Sequence, residues 1–232
     1  MSKIYLSNRR KSSKKWPLFL IIILILVIGF FGVKYYMAEN ASETKYSKLT
    51  YTFSYKDNLY FIRVLNDSKK IFMVKTIDNI TFPDSFLTLS KNNLQDTTNN
   101  FLRGFNLQSD LNYYINLNDD LIKSFINKIG SNKSGINGFF EGLMYRNSSI
   151  FDFLTVDSYY NLIKKYDRST NLTSPAVYVL LKSFSKYSIN NFDKLTLKPL
   201  FDKPIKITID DKIYYRNYLN EENFKRLKEI LE

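Results

Sequence analysis

The chain has 232 residues and a formal net charge of +12, from 34 Lys and Arg against 22 Asp and Glu. It contains no cysteine and no histidine, which excludes disulfide bonds, thiolate nucleophiles, Ser-His-Asp triads and zinc sites built on those residues. Any catalysis would have to use carboxylates, Lys, Arg, Tyr or an oxygen-ligated cation such as magnesium.

Basic residues are concentrated at the amino terminus. The first 15 residues contain six bases and no acid: Lys3, Arg9, Arg10, Lys11, Lys14 and Lys15. We expect this tail, residues 1–15, to stay in the cytoplasm and to be attracted to anionic membrane lipid. The remaining charges are scattered along the chain, which disfavours nucleic acid as a partner.

An apolar stretch follows directly. Leu18 to Val33 is apolar without interruption, and with its flanks the stretch reaches the roughly 20 residues that a helix needs to cross a bilayer. Trp16 and the Tyr35-Tyr36 pair occupy the positions of interfacial aromatic residues. The alternative is a cleaved signal peptide, but such peptides have a shorter apolar core and a small-residue cleavage motif. The sequence therefore predicts an uncleaved transmembrane signal anchor over residues 16–37.

The residues after the span are predicted to lie outside the cytoplasm. Residues 38–50 are polar and predict a tether, and residues 51–232 predict one extracytoplasmic domain. Dimerisation through the span has little support, because Gly29 and Gly32 are spaced Gly-x-x-Gly and not Gly-x-x-x-Gly.

The first half of the domain predicts a hairpin, a helix, a strand and a second helix. Their bounds are strands Leu59–Leu65 and Ile71–Ile77, helix Leu94–Leu102, strand Leu111–Leu117, and a helix from Asn118 to Gly130. The strands are rich in aromatic and β-branched residues. Asn118 is a suitable N-cap and Gly130 a suitable helix terminator.

The second half continues the alternation of helices and strands. We predict a long loop over 131–150, helices over 157–166 and 174–187, strands over 195–197, 205–209 and 213–218, and a last helix capped by Asn220. Interleaved strands and helices are typical of an α/β layer fold. The expected fold is one transmembrane helix followed by a single mixed-sheet domain flanked by helices.

The order of these segments resembles the LytR-CpsA-Psr family of membrane-anchored enzymes that attach glycopolymers to bacterial cell walls. The likeness rests on the hairpin from Asp57 to Asp78, on the segment Leu-Asn-Tyr-Tyr-Ile-Asn-Leu (111–117) with its helix, and on the terminal hairpin and helix. The family implies a cell-envelope location, one membrane span, and a polyprenyl-phosphate-linked glycan as partner.

The resemblance also implies a site. In the family, Arg and Asp side chains act with magnesium on a pyrophosphate. At the first motif this chain keeps Asp57 but has Tyr55 and Lys56 where Arg and Ser would fall, and at the second Ile77-Asp78 stands without the Arg. The resemblance implies Asp57 and Asp78 as metal ligands, and Lys164 and Arg168 as phosphate-binding residues.

Two functions therefore remain open. One is a divergent member of this family with weakened or lost catalysis, using magnesium if it is active. The other is a non-enzymatic, membrane-tethered scaffold or accessory subunit that binds another envelope protein. The missing arginines argue against full transferase activity, since the planar guanidinium binds phosphate oxygens in pairs.

Overall fold

A computed structural model describes residues 15–146, 152–209 and 211–231. The helices are α1 (Lys15–Glu39), α2 (Ser42–Lys45), α3 (Leu94–Gly104), α4 (Asp119–Ile129), α5 (Gly135–Tyr145), α6 (Asp152–Tyr166), α7 (Ser174–Lys186) and α8 (Glu221–Leu231). The strands are β1 (Lys48–Tyr55), β2 (Asn58–Leu65), β3 (Lys70–Ile77), β4 (Ile80–Thr81), β5 (Thr88–Leu89), β6 (Leu111–Asn116), β7 (Ser188–Asn190), β8 (Ile205–Ile209) and β9 (Lys212–Tyr218).

The strands form two sheets. The larger has the order β6-β1-β2-β3-β7, in which β1, β2 and β3 are antiparallel while β6 runs parallel to β1 and β7 parallel to β3. The smaller has the order β5-β4-β9-β8. Four of the five strands in the larger sheet therefore share one direction, and their carboxyl ends lie at one edge.

The larger sheet is buried on both faces because its central strands carry apolar residues at successive positions. On one face, Phe53 and Ile62 join a core formed with α4, α5, α6 and α7. On the other, Leu59 and Phe61 join a second core with α3, α8 and the smaller sheet. The mixed α/β fold expected from the sequence is confirmed, with the strands divided between two sheets.

Most predicted elements occur close to their expected positions. The predicted strand over 195–197 is wrong, because Thr196 forms only an isolated bridge with Lys75, and the short strands β4, β5 and β7 were not predicted. Two longer elements were also misjudged. The predicted loop over 131–150 is wrong, since α5 occupies Gly135–Tyr145; Asn147 to Phe151 lie outside the described residues. Strand β1 was not predicted, although its Leu-Thr-Tyr-Thr-Phe-Ser-Tyr sequence alternates in the way a strand requires.

Helix α1 is long and apolar enough to cross a membrane, from Trp16 to Glu39, with a mean hydropathy of 2.8 and none of its apolar stretch buried in protein. Its last turns contact the domain. Lys34 Nζ lies 3.1 Å from Asp157 Oδ2, and Lys182 Nζ lies 2.6 Å from Glu39 Oε2. Tyr178 also donates a hydrogen bond to Glu39 at 2.6 Å. The helix is thus held against α6 and α7.

The segment that the sequence predicts to be a tether contains α2, which packs on α7. Glu43 in α2 is 7% exposed and accepts hydrogen bonds from Thr173 Oγ1 at 2.7 Å and from Ser42 Oγ at 2.8 Å. Burial acts to raise the pKa of Glu43, but the hydrogen bonds from Thr173, Ser42 and Tyr113 outweigh it, so the pKa lies below its ordinary value.

We therefore expect Glu43 to make stability depend on acid pH. Because its folded-state pKa is lowered, its carboxylate contributes stability that is complete above the unfolded value of about 4.3 and is lost as the pH falls through the folded value. The difference in free energy of unfolding between wild type and Glu43→Gln should shrink as the pH falls. Urea denaturation between about pH 3 and pH 7 measures it, and a difference that stays constant would contradict the assignment.

Candidate functional site

The two aspartates predicted as metal ligands, Asp57 and Asp78, lie at the carboxyl edge of the larger sheet. Asp57 lies in the turn between β1 and β2, and Asp78 comes directly after β3. Asn116, the last residue of β6, lies at the same edge, since β6 is parallel to β1. In α/β sheets, ligands bind outside the carboxyl ends of the strands, so this edge is the natural candidate site.

A lysine that the sequence analysis did not identify links the two aspartates. Lys91 Nζ lies 2.8 Å from Asp57 Oδ1 and 3.6 Å from Asp78 Oδ2, and donates to the backbone oxygen of Lys56 at 3.0 Å. Asp78 Oδ1 also accepts from the backbone N–H groups of Asn79 and Lys91. The hydrogen bond and positive charge of Lys91 lower the pKa of Asp57, and Asp57 in turn raises the pKa of Lys91.

A third aspartate at this edge is paired in the same manner. The hydroxyl of Tyr55 donates to Asp119 Oδ1 at 2.6 Å, and Lys56 Nζ lies 3.5 Å from the same oxygen. The hydrogen bond from Tyr55 is the largest cause that lowers the pKa of Asp119, and the charge of Lys56 adds to it. Tyr55 and Lys56 stand where the resemblance would place Arg and Ser, and both are engaged with this aspartate.

The two predicted phosphate-binding residues lie beside the edge but are not brought together with the aspartates. Lys164, in the last turn of α6, donates a hydrogen bond to the backbone oxygen of Thr170. Arg168 lies in the loop after α6 with an exposed side chain. Between them, buried Asp167 accepts from the backbone N–H groups of Asn116 at 2.7 Å and Ser169 at 3.1 Å. Asp167 therefore fixes this loop to the end of β6.

The side chains at the edge do not match a magnesium site. Magnesium requires near-octahedral oxygen ligands, usually one or two carboxylates with water and phosphate. Here the ammonium of Lys91 lies between Asp57 and Asp78. Its positive charge takes the position that the cation would take. In the described ranges, no group of three or more acidic residues could hold a metal ion.

A polar cavity of about 220 Å³ adjoins Lys91 at the amino end of α3. Asn92, Gln95, Tyr114 and Ser169 line it along with Lys91. Amide and hydroxyl groups predominate, so the cavity offers hydrogen bonds to a polar ligand and one positive charge. No arginine is among its lining residues.

Replacing Lys91 tests the ion pairs at the edge. In Lys91→Met, the carboxylate of Asp57 loses both its hydrogen bond and its neighbouring positive charge, so the pKa of Asp57 should rise towards its ordinary value. NMR titration of side-chain carboxyl carbons reports this change, and Lys198→Met serves as an exposed control. An unchanged Asp57 pKa in Lys91→Met would mean that Lys91 and Asp57 are not paired in solution.

No protein-family model matches the sequence, and no curated protein matches it. Several solved structures are similar. The Lin1025 protein of Listeria innocua has a TM-score of 0.51 at 11% sequence identity, over 80% of this chain and 96% of that one. The LytR-CPS2A-psr family protein YwtF (TagT) with bound octaprenyl pyrophosphate lipid scores 0.44 at 11% identity, over 80% and 88%. B. subtilis TagV scores 0.43 at 12% identity, over 80% and 95%.

At these identities the likeness concerns the fold and carries no site residue across. It agrees with the segment order noted in the sequence: paired strands, a strand and helix ending at Gly130, and a terminal hairpin followed by a helix. The chain therefore shares its α/β fold with the Lin1025 protein.

Proposed function

We propose that this chain is a membrane-anchored protein of the bacterial cell envelope, with its α/β domain outside the cytoplasm and with transferase catalysis lost. The loss of catalysis is inferred from the pairing of charged side chains at the carboxyl edge. Asp57 and Asp78 are bridged by Lys91, and Asp119 is bound by Tyr55 and Lys56. These groups satisfy one another and leave no concentrated positive charge for a pyrophosphate.

The packing behind the edge supports the same proposal. Aromatic rings fill the space between the larger sheet and α5: the ring centroid of Phe140 lies 5.9 Å from Phe53, 5.2 Å from Tyr60 and 4.9 Å from Phe192. Phe125 and Phe139 continue this packing with centroids 4.7 Å apart. A protein that takes up a polyprenyl chain would need an apolar channel, and the space between the larger sheet and α5 is filled by side chains.

The anchoring part rests on α1 and its flanks. The helix is preceded by six basic residues and contains no charged residue between Trp16 and Val33. Such a basic flank is retained in the cytoplasm, so the residues after the span are exported. The contacts of Lys34 and Glu39 with α6 and α7 would then hold the domain directly against the extracytoplasmic face of the membrane that α1 spans.

A non-enzymatic scaffold is the specific form that we favour, because several large apolar side chains are exposed on and beside the smaller sheet. Leu200, Phe201, Ile213, Tyr214 and Tyr215 are each between 43% and 59% exposed. Ile213, Tyr214 and Tyr215 belong to β9, and the other two precede β8. Large apolar side chains are therefore exposed on both faces of β9, Ile213 and Tyr215 on one and Tyr214 on the other, and exposed apolar groups in one region are typical of protein interaction surfaces.

The test compares the full chain in detergent micelles with TagT under the same conditions. Polyprenyl pyrophosphate is supplied with magnesium, and both binding and pyrophosphate hydrolysis are measured. We expect neither from this chain, while TagT serves as the positive control for lipid binding. Turnover that requires Asp57 or Asp78 would overturn the loss of catalysis.

Crosslinking in cells tests the scaffold form. A photoreactive residue at position 214 should give one reproducible protein adduct, while the same residue at the exposed position 203 should not. Recovery of lipid-linked glycan alone from position 214 would contradict a scaffold and favour a divergent transferase.

A further inference from the structure

A second polar cavity lies where the membrane helix enters the domain, beside the turn between β2 and β3 and therefore at the opposite end of β2 from Asp57. It has a volume of about 420 Å³ and is lined by the ends of α1, α2 and α7 and by the turn between β2 and β3. We call it the lysine cleft, because Lys45, Lys69, Lys182 and Lys186 line it. The proposed function does not use it.

The lining of the lysine cleft has an excess of positive charge. Its one acidic lining residue is Glu39, which is engaged by Lys182 Nζ at 2.6 and 2.8 Å and by the hydroxyl of Tyr178. Lys45 and Lys186 have exposed side chains, and Lys69 Nζ lies 3.3 Å from the hydroxyl of Tyr187. Lys45 and Lys69 therefore have no carboxylate partner among the lining residues, and Lys186 interacts with the Glu39 carboxylate only through its charge.

A buried hydroxyl provides an independent observation. Ser183 lines the cleft, is 1% exposed, and its Oγ has no hydrogen-bond partner among the described residues. A buried polar group without a partner costs free energy, so a donor of this kind in a basic cleft indicates a missing acceptor. Attraction to the helix dipole would account for Lys186 at the end of α7, but it does not account for Lys45 or Lys69, which belong to other elements.

The height of the cleft matches the headgroup layer. The predicted span ends at residue 37, and Glu39 in the cleft is two residues further along the same helix. At 1.5 Å per residue this is about 3 Å. The headgroup region adds roughly 5–8 Å to each side of the hydrocarbon core. The cleft therefore lies level with the phosphates of the membrane surface.

We propose that the lysine cleft binds the phosphodiester headgroup of an anionic phospholipid. Lys45, Lys69 and Lys186 would surround the phosphate as point charges, and Ser183 would donate a hydrogen bond to one of its oxygens. The bound lipid would hold the domain in one orientation on the bilayer, together with the contacts of Lys34 and Glu39. This inference rests on the membrane anchoring in the proposed function.

The test uses the full chain in nanodiscs. One set contains phosphatidylcholine alone and the other phosphatidylcholine with phosphatidylglycerol. Acylation of Lys45 and Lys186 by a water-soluble reagent should be several-fold slower in the anionic discs, while Lys198, in the segment before β8, and Lys206, in β8, should react equally in both. Equal protection of all four lysines, or of none, would overturn the inference.

Variants of the cleft lysines and of lysines elsewhere on the surface distinguish binding in the lysine cleft from a general effect of surface charge. Because each basic residue near an anionic surface is worth about a factor of five, K45Q/K69Q/K186Q should retain phosphatidylglycerol on native mass spectrometry about 100-fold more weakly than wild type. K45R/K69R/K186R should retain it, and K198Q/K206Q/K212Q should behave as wild type. Circular dichroism checks that the variants fold, and the arginine variant controls for packing.

Two further measurements show which claim has failed if the lipid is not bound as expected. Glycerol phosphate at millimolar concentration should not displace the lipid; displacement would mean that the cleft takes a free phosphate ester. If the chain does not enter nanodiscs at all, the anchoring in the proposed function fails. If it enters them but shows no preference for anionic lipid, the headgroup site alone fails.

Discussion

Phe53→Ala should lower the free energy of unfolding by about 3–5 kcal/mol, the largest effect that we expect from one substitution. Phe53 is 1% exposed at the centre of β1, and its ring makes edge contacts with Phe139 at 6.0 Å and Phe140 at 5.9 Å. Truncation removes both contacts and leaves a cavity, because the sheet and α5 are fixed on either side. Urea denaturation of the full chain in detergent micelles measures the change.

Phe201→Ala is the matched control. Its ring is 55% exposed, so the same truncation should change stability by less than about 0.5 kcal/mol. Similar losses in the two variants would mean that the aromatic cluster around Phe53 is not packed as described. In that case the space behind the carboxyl edge would be open to a ligand, and the argument against a lipid channel would fail.

Asp152→Ala should cost about 3–5 kcal/mol, because it leaves a buried guanidinium without its counter-ion. Arg146 and Asp152 form a paired contact, with distances of 2.9 Å from Nη1 to Oδ1 and 2.6 Å from Nη2 to Oδ2. Their side chains are 7% and 14% exposed. The pair joins the end of α5 to the start of α6, so its loss should loosen both helices.

The double variant Arg146→Met with Asp152→Leu distinguishes the loss of the ion pair itself from the cost of leaving one buried charge unpaired. Replacing a buried pair by apolar side chains of similar volume is often neutral or stabilising, so the double variant should recover most of the loss. The coupling between the two positions follows from the double-mutant cycle. A double variant as unstable as Asp152→Ala would contradict the argument from an unpaired charge.

Local sequence signals predicted much of the fold because the relevant interactions are local. Asn118 caps α4 through its side chain, which accepts from the N–H of Leu121 at 2.8 Å, and Gly130 ends the helix at a φ of 76°. Both follow from residue type and spacing. The hairpin of β2 and β3 was likewise evident from its aromatic and β-branched residues.

The misjudged helix α5 shows where such signals fail. Its glycines indicated a loop, yet Gly138 and Gly142 are buried in the helix. A Cβ at Gly138 would lie 2.2 Å from the backbone oxygen of Lys133, and one at Gly142 would lie 2.7 Å from Ile129 Cγ2. Here glycine allows close approach of neighbouring backbone and side chains, a requirement that depends on tertiary packing.

The candidate site was only partly predictable for a similar reason. The resemblance implied Asp57 and Asp78 as metal ligands, but Lys91 is 34 residues from Asp57 and approaches it only in the folded chain. No spacing rule connects these residues. The clearest available signal was the substitution of Tyr55 and Lys56 for the expected residues, whose partner Asp119 likewise lies in a distant segment.

The location of the domain is the claim on which both proposals depend, and a topology reporter tests it most directly. Alkaline phosphatase, which is active only after export, is fused after Glu232, and a matched fusion is made within the basic tail at Ser13. The account predicts activity from the fusion after Glu232 and none from the fusion at Ser13. Activity at Ser13 with none after Glu232 would place the domain in the cytoplasm and contradict the envelope function and the outer headgroup site together.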